Sequence, residues 1–172
     1  MNKLITLVAT ALLIIGAGTA KAQDNVNIGK SNIKLNSRMM TPEALWAMGR
    51  IGGVAASPNG NQVVYQVGYY SVKQNKGHQV ICIMNADGSQ QRQLTTSSKS
   101  ETDPVWLNAE TIAFNCGGEI WTMKADGSDR QQLTKTGGKV EGFKFSPDGT
   151  KVILIQSMPF HEIIKKNPDD LP

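Results

Sequence analysis

Short apolar runs bounded by turn-forming residues recur along the middle and the end of the chain. Three of them share a β-branched and aromatic composition: Val63-Val64-Tyr65, Ile112-Ala113-Phe114 and Val152-Ile153-Leu154-Ile155. Such runs are strongly β-prone. They are nearly continuous rather than alternating, which is typical of strands in a sheet covered on both faces. The pattern therefore predicts an all-β fold of sheets packed face to face.

The chain repeats itself with an offset of 39 residues. Met84–Ser89 returns as Met123–Ser128, and Gln93–Thr95 returns as Gln132–Thr134. The turn sequence Ser57-Pro58-Asn59-Gly60 also returns, as Ser146-Pro147-Asp148-Gly149, with a degenerate copy at residues 106–109. A unit of about 40 residues with four short strands is the signature of a β-propeller blade.

Each unit is predicted to contain four antiparallel strands. The Ser-Pro-Asp/Asn-Gly turn ends the first strand, and an Ala-Asp-Gly turn ends the third. The fourth strand is short and polar, as suits an outer strand that meets water. The predicted strands are Val54–Ser57, Gln62–Val67, Gln79–Met84 and Arg92–Thr95, then Val105–Leu107, Thr111–Asn115, Glu119–Met123 and Gln131–Thr134, then Gly142–Ser146 and Lys151–Gln156.

The repeat predicts an incomplete propeller of about two to three blades. A closed propeller needs roughly 4 to 8 blades. At about 40 residues per blade, Ala55–Pro172 holds two full blades and the start of a third. We therefore expect a truncated product of a longer gene.

One stretch departs from the repeat. Gly68–His78 is predicted to bulge out between the second and third strands of the first unit, and it carries Tyr69, Tyr70 and Lys73. It either lines a rim that contacts a partner domain or is a solvated extension of the hairpin.

Residues 1–22 have the layout of a secretory signal peptide. Met1-Asn2-Lys3 is a positive start, Leu4–Ala17 is apolar, and Ala20-Lys21-Ala22 is a small-x-small cleavage site. The apolar run is short for a membrane span. No Cys stands at the cleavage site, which disfavours a lipoprotein. We predict export to the periplasm, with association with the outer surface left open, and no stable membrane span after cleavage.

The rest of the chain divides into three parts. Residues 23–38 are a predicted flexible linker, residues 39–52 contain a helix packed on the propeller, and residues 53–172 form the partial propeller. Thr41 can cap the helix, Pro42 suits its first turn and Gly49 ends it. Leu45, Trp46 and Met48 are predicted to lay the helix against the propeller.

Charge and cysteines restrict the function classes. The net charge of +4 includes Lys3 and Lys21 and falls to +2 once they are removed. No Lys/Arg cluster stands out along the sequence, so nucleic acid is not an expected partner.

Cys82 is predicted within a strand and Cys116 in a turn, at non-equivalent places, so we expect separate thiols rather than a disulfide.

Two segments resemble a known family. Thr41-Pro42-Glu43-Ala44-Leu45-Trp46 followed by Ser57–Gly60 resembles the opening of exported bacterial peptidases of the prolyl oligopeptidase family, of the dipeptidyl-peptidase V and acylaminoacyl-peptidase type. Residues 157–172 resemble a family stretch that ends in Tyr-Pro-Asp-Leu-Pro. Here Asn167 replaces the Tyr and one Asp is added, so the second match is looser.

The resemblance covers roughly Met40–Pro172 and implies a parent that hydrolyses short peptides from the N-terminus. In that family the propeller gates substrate access, and an α/β-hydrolase domain with a Gly-x-Ser-x-Gly serine follows it. No such motif occurs in this chain. We therefore expect the chain itself to be non-catalytic, with the hydrolase domain and short peptides as partners of the parent.

No residue of the chain is predicted to be catalytic, to bind a cofactor or to bind a metal. His161 lacks a Ser or Asp that the sequence would place beside it, and with His78 as the other histidine no set has zinc spacing. Asp126–Asp129 fails the calcium-loop spacing and is predicted to be a hairpin turn.

Two further hypotheses remain open. A TolB-like periplasmic propeller would be a protein-binding module, but it predicts an α/β domain ahead of the blades, and residues 23–38 are too short for one. A non-functional gene remnant is the other.

Overall fold

A computed structural model of the protein describes residues 28–34 and 38–157. The predicted signal peptide, half of the predicted linker, and the stretch containing His161 lie outside these residues. Within the described ranges, no helix has both the length and the apolar character needed to cross a membrane.

Among the residues that the structure describes, one short helix precedes the sheets, and its start has the predicted chemistry. Helix α1 spans Pro42–Ala47, and the Thr41 hydroxyl accepts a hydrogen bond of 3.2 Å from the backbone N–H of Ala44. The prediction for its packing was only partly right. The fully buried side chain is Ala44, whereas Leu45, Trp46 and Met48 keep 49%, 41% and 42% of their surface exposed. Trp46 contacts Tyr70 of the first sheet, but Leu45 and Met48 are exposed rather than buried against it.

The remaining described residues form ten strands in three antiparallel sheets. The first sheet has the order β1-β2-β3-β4, the second β5-β6-β7-β8, and the third pairs β10 with β9. The strands are β1 Arg50–Ala56, β2 Gln62–Ser71, β3 Lys76–Asn85, β4 Arg92–Gln93, β5 Glu101–Trp106, β6 Thr111–Cys116, β7 Glu119–Lys124, β8 Gln131–Gln132, β9 Val140–Phe145 and β10 Val152–Gln156. Two four-stranded sheets and the start of a third match a partial β-propeller, which confirms the predicted fold class.

The first strand of each sheet begins earlier than predicted. In β1 the pairing with β2 continues back to Arg50 and shifts register between Ile51 and Val54, around Gly52 and Gly53. In β5 a similar shift lies between Thr102 and Val105. A β-bulge breaks the alternation of side chains, and for this reason the sequence pattern did not show these strand starts.

The predicted bulging loop of the first sheet is a hairpin extension. The pairing of β2 with β3 continues through Tyr69 opposite His78 and Ser71 opposite Lys76. The equivalent hairpin of the second sheet stops at Cys116 opposite Glu119. The first sheet therefore projects several residues further at this end than the second.

The 39-residue repeat extends to individual hydrogen bonds. The hydroxyl of Thr95 accepts from the N–H of Ile81 at 2.9 Å, and that of Thr134 accepts from Ile120 at 2.9 Å. These threonines lie beyond the fourth strands, which end at Gln93 and Gln132 rather than at the predicted threonines. The threonine side chain adds to the backbone hydrogen bond that Leu94 or Leu133 donates to the same neighbouring strand, and together they hold each outer segment in place.

The Ala-Asp-Gly turns also repeat in their backbone geometry. Of the three turn residues, only the glycine has a positive φ, 83° at Gly88 and 91° at Gly127. The aspartates instead accept the N–H two residues on, as Asp87 does from Ser89 at 2.9 Å. Asp126–Asp129 is a hairpin turn, as predicted.

The core lies between the sheets. One cluster joins the first sheet to the second and includes Val64, Ile81, Ile83, Ile112 and Phe114. Another joins the second to the third around Ala113, Ile120 and Val140. The run at residues 112–114 is buried on both faces, as predicted, because Ile112 and Phe114 belong to the first cluster and Ala113 to the second. The run at residues 63–65 places only Val64 in the first cluster, and the run at residues 152–155 exposes Ile153 and Ile155, so the prediction was wrong for the third run.

The two cysteines are free, as predicted, and both are buried. The location predicted for Cys116 was wrong, because it is the last residue of β6 rather than part of a turn. The following Gly117 and Gly118, with φ of 63° and 76°, make the turn and allow β6 to extend to the cysteine.

Candidate functional site

An ion pair between a fully buried carboxylate and a partly exposed guanidinium lies within the second sheet. The Arg130 guanidinium pairs with the carboxylate of Glu101, whose side chain has no exposed surface. Apart from this pair, neither Glu101 oxygen finds a hydrogen-bond partner among residues 28–34 and 38–157. The guanidinium also lies 5.0 Å from the ring centres of Phe114 and Trp121. Arg130 therefore provides the compensating charge for Glu101 inside an apolar interface.

A cleft of about 250 Å³ opens beside this pair and is lined by Lys99, Cys116, Trp121 and Arg130, among others. One guanidinium nitrogen of Arg130 lies 3.4 Å from the Cys116 sulfur. The cleft thus contains a thiol and two basic side chains, and one of these is already neutralised by Glu101.

A second buried carboxylate organises the connection from the second sheet to the third. Glu119 accepts hydrogen bonds from the Thr134 hydroxyl (2.6 Å) and from the backbone N–H groups of Thr136 (2.6 Å) and Gly138 (2.9 Å). Burial by itself would raise the pKa of Glu119, but these hydrogen bonds outweigh it and lower the pKa from 4.5 to about 2. Glu119 therefore stays ionised and holds the connecting segment in place.

A larger cleft, of about 360 Å³, lies between α1 and the end of the β2–β3 hairpin. Its walls include Glu43, Trp46, Tyr69, Tyr70 and Val72. The Trp46 and Tyr70 rings are 4.9 Å apart, and the Arg50 guanidinium lies 5.0 Å from the Trp46 ring centre. The segment 28–34 borders the cleft through Gly29, Ser31 and Ile33.

Serine hydroxyls of the repeated turns have structural partners. Ser57 donates to the Asn59 side chain at 2.7 Å, and Ser146 donates to Asp148 at 2.5 Å. These contacts give the turn serines a structural role. His78 is buried in β3, opposite Tyr69.

The carboxylates of the turns are engaged in the same local way. The Ser128 hydroxyl and N–H lower the pKa of Asp126, and the corresponding groups of Ser89 lower that of Asp87. No cluster of three His, Cys, Asp or Glu side chains within the described part of the chain could hold a metal ion.

The chain is similar in sequence to two known peptidases over nearly its whole length. It is 32% identical to dipeptidyl-peptidase 5 of Porphyromonas endodontalis over 96% of its length, and 34% identical to that of Porphyromonas gingivalis over 99%. The chain is homologous to part of dipeptidyl-peptidase 5. It spans about a quarter of these relatives, since the match covers 24% of each. No family model matches it.

Solved structures support the fold independently. The acylaminoacyl peptidase of Pyrococcus horikoshii superposes with a TM-score of 0.53 at 13% identity, over 65% of this chain and 18% of that one. A second structure of the same enzyme gives 0.51 at 17% identity, over 63% of this chain and 17% of that one. At such identity the likeness shows the fold alone. Together with the homology to dipeptidyl-peptidase 5, it confirms the predicted resemblance to a peptidase propeller.

Sequence reasoning singled out Tyr69 and Tyr70 as possible rim residues but missed the cleft that they form with α1, and it missed the cleft beside Arg130 altogether. Glu101 and Arg130 are 29 residues apart in the sequence and meet only when β8 lies outside β7. The local sequence carried no signal for burial, since Glu101 lies between Ser100 and the polar pair Thr102-Asp103. Its partner could not be chosen among the 18 Lys and Arg residues of the chain.

Proposed function

We propose that this chain supplies propeller blades to an exported serine peptidase of the dipeptidyl-peptidase 5 type and is itself non-catalytic. Two findings together support this proposal. The homology to dipeptidyl-peptidase 5 spans 96% of the chain, and the described residues form successive antiparallel sheets of the propeller type.

In this proposal the whole enzyme removes dipeptides from the N-terminus of short peptides by acyl-enzyme chemistry. A serine nucleophile needs a base within hydrogen-bond reach. The Ser57 and Ser146 hydroxyls are engaged in turns, and His78 is buried against Tyr69. The catalytic serine, base and acid would therefore come from an α/β-hydrolase domain, and the propeller would limit which peptides reach it.

Uncovered apolar surface supports a larger assembly. Ile153 and Ile155 of β10 are 71% and 61% exposed, although they belong to the strongly β-prone run at residues 152–155. The homologous blades elsewhere in the chain bury such residues against the next sheet. Further blades of the enzyme would cover this face in the same way.

The activity can be tested with two proteins, the 172-residue chain and the product of the gene read beyond codon 172. We expect the longer protein to hydrolyse dipeptidyl chromogenic substrates and to lose this activity with a serine-directed phosphonate. We expect no turnover by the chain alone. Inhibitor-sensitive turnover by the chain would refute its non-catalytic role.

Gene sequence beyond codon 172 provides a second test. A reading frame that reaches a Gly-x-Ser-x-Gly supports the peptidase. Further blades followed by a stop codon would favour a TolB-like binding propeller instead. For the proposed export, we expect the mature periplasmic protein to begin at Gln23, which N-terminal sequencing after cell fractionation measures.

A further inference from the structure

The chain enters and leaves each four-stranded sheet at the same end of the molecule. In the first sheet, β1 begins at Arg50, and the antiparallel order β1-β2-β3-β4 carries the chain away from that end and back to it twice. The second sheet has the same order from β5 to β8. We call this end the entry end. It contains the turns between second and third strands and the connections from one sheet to the next.

The entry ends of the three sheets lie side by side. The N–H of Val140, at the start of β9, donates to the carbonyl of Gly118 in the β6–β7 turn at 3.0 Å. At the other end of the molecule, the indole of Trp106 in β5 donates to the Ala55 carbonyl in β1 at 3.0 Å. Neighbouring sheets therefore run in the same direction. A segment that follows any complete sheet of this kind starts at the entry end.

The first sheet projects furthest at the entry end. The β6–β7 hairpin ends with the pair Cys116–Glu119. The equivalent pair of the first sheet is Val67–Val80, since Val80 precedes Glu119 by the 39-residue offset, and four more pairs follow it, up to Ser71–Lys76. At about 3.4 Å per residue, the β2–β3 hairpin extends roughly 14 Å further. A domain that approaches this end of the propeller meets the first sheet before the second.

Exposed apolar side chains line a cleft at the entry end. Ile33, Trp46 and Val72 are walls of the cleft between α1 and the β2–β3 hairpin and remain 46%, 41% and 62% exposed. The turns at the other end hold no exposed large hydrophobic side chain, and all of them belong to the described part of the chain: residues 57–61, 86–91, 107–110, 125–130 and 146–151. Apolar surface concentrated in this way marks an interaction site.

The rest of the enzyme is the occupant that the topology favours. The chain spans about a quarter of its dipeptidyl-peptidase 5 relatives, and in the proposed function an α/β-hydrolase domain follows the propeller. The segment that joins the two would leave the last blade at the entry end, where α1 also lies. A domain joined there by a short connection faces the cleft. Concave sites with aromatic walls accept an anchoring side chain.

We propose that the α/β-hydrolase domain docks on the entry end and inserts a bulky apolar side chain into the cleft beside Trp46 and Tyr70. This inference rests on the proposed function and adds to it the surface through which the propeller holds the catalytic domain. The extended β2–β3 hairpin fixes the first blade to that domain. The short β6–β7 turn leaves the second blade further from it.

The test uses the product of the gene read beyond codon 172, with one cysteine added at either end of the first sheet. Val72→Cys places a thiol in the cleft, and Asn61→Cys places one in the β1–β2 turn at the other end. Both positions are exposed in this structure. Alkylation of the native protein by iodoacetamide, followed by peptide mass spectrometry, measures each site separately from the buried Cys82 and Cys116.

Each alkylation rate is divided by the rate of the same site in denaturant, which removes differences in intrinsic thiol reactivity. We expect Val72→Cys to react about tenfold or more slowly than Asn61→Cys, because the docked domain covers the cleft and buried thiols are inert. Equal rates, or a slower reaction at Asn61→Cys, would overturn the proposal.

Photo-cross-linking identifies what covers the cleft. The photo-reactive residue p-benzoylphenylalanine replaces Lys73, at the tip of the β2–β3 hairpin, or Lys151, in the turn before β10 at the other end. Both lysines are exposed. We expect the probe at Lys73 to cross-link to a peptide of the domain that carries the Gly-x-Ser-x-Gly, and the probe at Lys151 not to do so. A cross-link from Lys73 to a further blade in place of that domain would also overturn the proposal.

Hydrolysis of dipeptidyl substrates separates this proposal from the proposed function. A longer protein that is active and sensitive to the phosphonate, yet shows one of the contrary outcomes, keeps the peptidase function and loses the docking surface. A reading frame without a Gly-x-Ser-x-Gly removes both.

Discussion

The Arg130 guanidinium and the Glu101 carboxylate form an ion pair within the second sheet, and Glu101 has no exposed surface whereas the Arg130 side chain is 28% exposed. Burying a charge is costly, and the attraction between the two groups only offsets that cost. Removing Arg130 alone is much worse than removing both residues, because it leaves the buried Glu101 charge uncompensated. The pair thus holds the start of β5 against the residue that precedes β8.

We predict that Arg130→Met lowers the free energy of unfolding by about 3 kcal/mol or more. The double variant Glu101→Leu/Arg130→Met should recover most of that loss, because no charge remains buried. Urea unfolding followed by circular dichroism measures both. Arg92→Met is the control, since Arg92 donates only to exposed backbone carbonyls of Ala125 and Asp126, and it should cost about 1 kcal/mol. A double variant as unstable as the single one would contradict the prediction.

Gly118 should not tolerate a side chain. It has a φ of 76°, and an added Cβ would overlap the backbone of Gly138 in the segment that Glu119 holds. Gly60 has a similar φ of 73° but open space around it. We expect Gly60→Ala to cost roughly 1–2 kcal/mol for the left-handed backbone alone. Gly118→Ala should cost a further 1–3 kcal/mol for the overlap, measured as the difference in unfolding midpoints. Equal losses would show that the segment moves aside freely.

Glu119 should contribute to acid sensitivity. Its pKa in the folded protein, about 2, lies below the ordinary 4.5. Its stabilisation is therefore fully present above about pH 4.5 and is lost as the pH falls toward 2. We expect Glu119→Gln to be less stable than the parent at pH 7 and to lose less stability between pH 5 and pH 2.5. Glu110→Gln, at an exposed turn position, should keep the parent's pH dependence. Parallel curves for the parent and Glu119→Gln would disprove this role.

Both thiols should be free but slow to react. Burial raises the pKa of Cys82, so little of the reactive thiolate forms at neutral pH. Cys116 is 5% exposed. An aromatic disulfide reagent should therefore label the native protein slowly and should titrate two thiols in denaturant without reductant. Fewer than two thiols under denaturing conditions would reveal a disulfide.

Local features of the sequence predicted the sheets well. The strand cores at residues 63–65 and 112–114, the repeated turns and the free cysteines all agree with the structure, because strand propensity and turn chemistry depend on neighbouring residues. The resemblance of residues 41–60 to peptidase openings led to the same family as the homology. Predictions for the signal peptide, the linker and the export of the protein stay predictions.

Features that depend on distant residues were predicted poorly. The stretch at residues 68–78 contains Gly and polar residues that do not predict strands. It forms a hairpin because its first residues pair with its last ones, as Tyr69 does with His78. The helix was assigned to bury Leu45, Trp46 and Met48, but amphipathic spacing in one turn does not reveal which face meets a sheet. Here the small side chain of Ala44 allows the closest approach.

By itself the sequence determined that the protein is made of successive four-stranded units of peptidase-propeller type, because strand propensity, turn residues and a 39-residue repeat act within each unit. Tertiary structure alone decided which charges form a pair and where aromatic side chains gather into a cleft. Coulombic and packing energies depend on distances in space, and segments as far apart as residues 29 and 72 approach each other only once the sheets are formed.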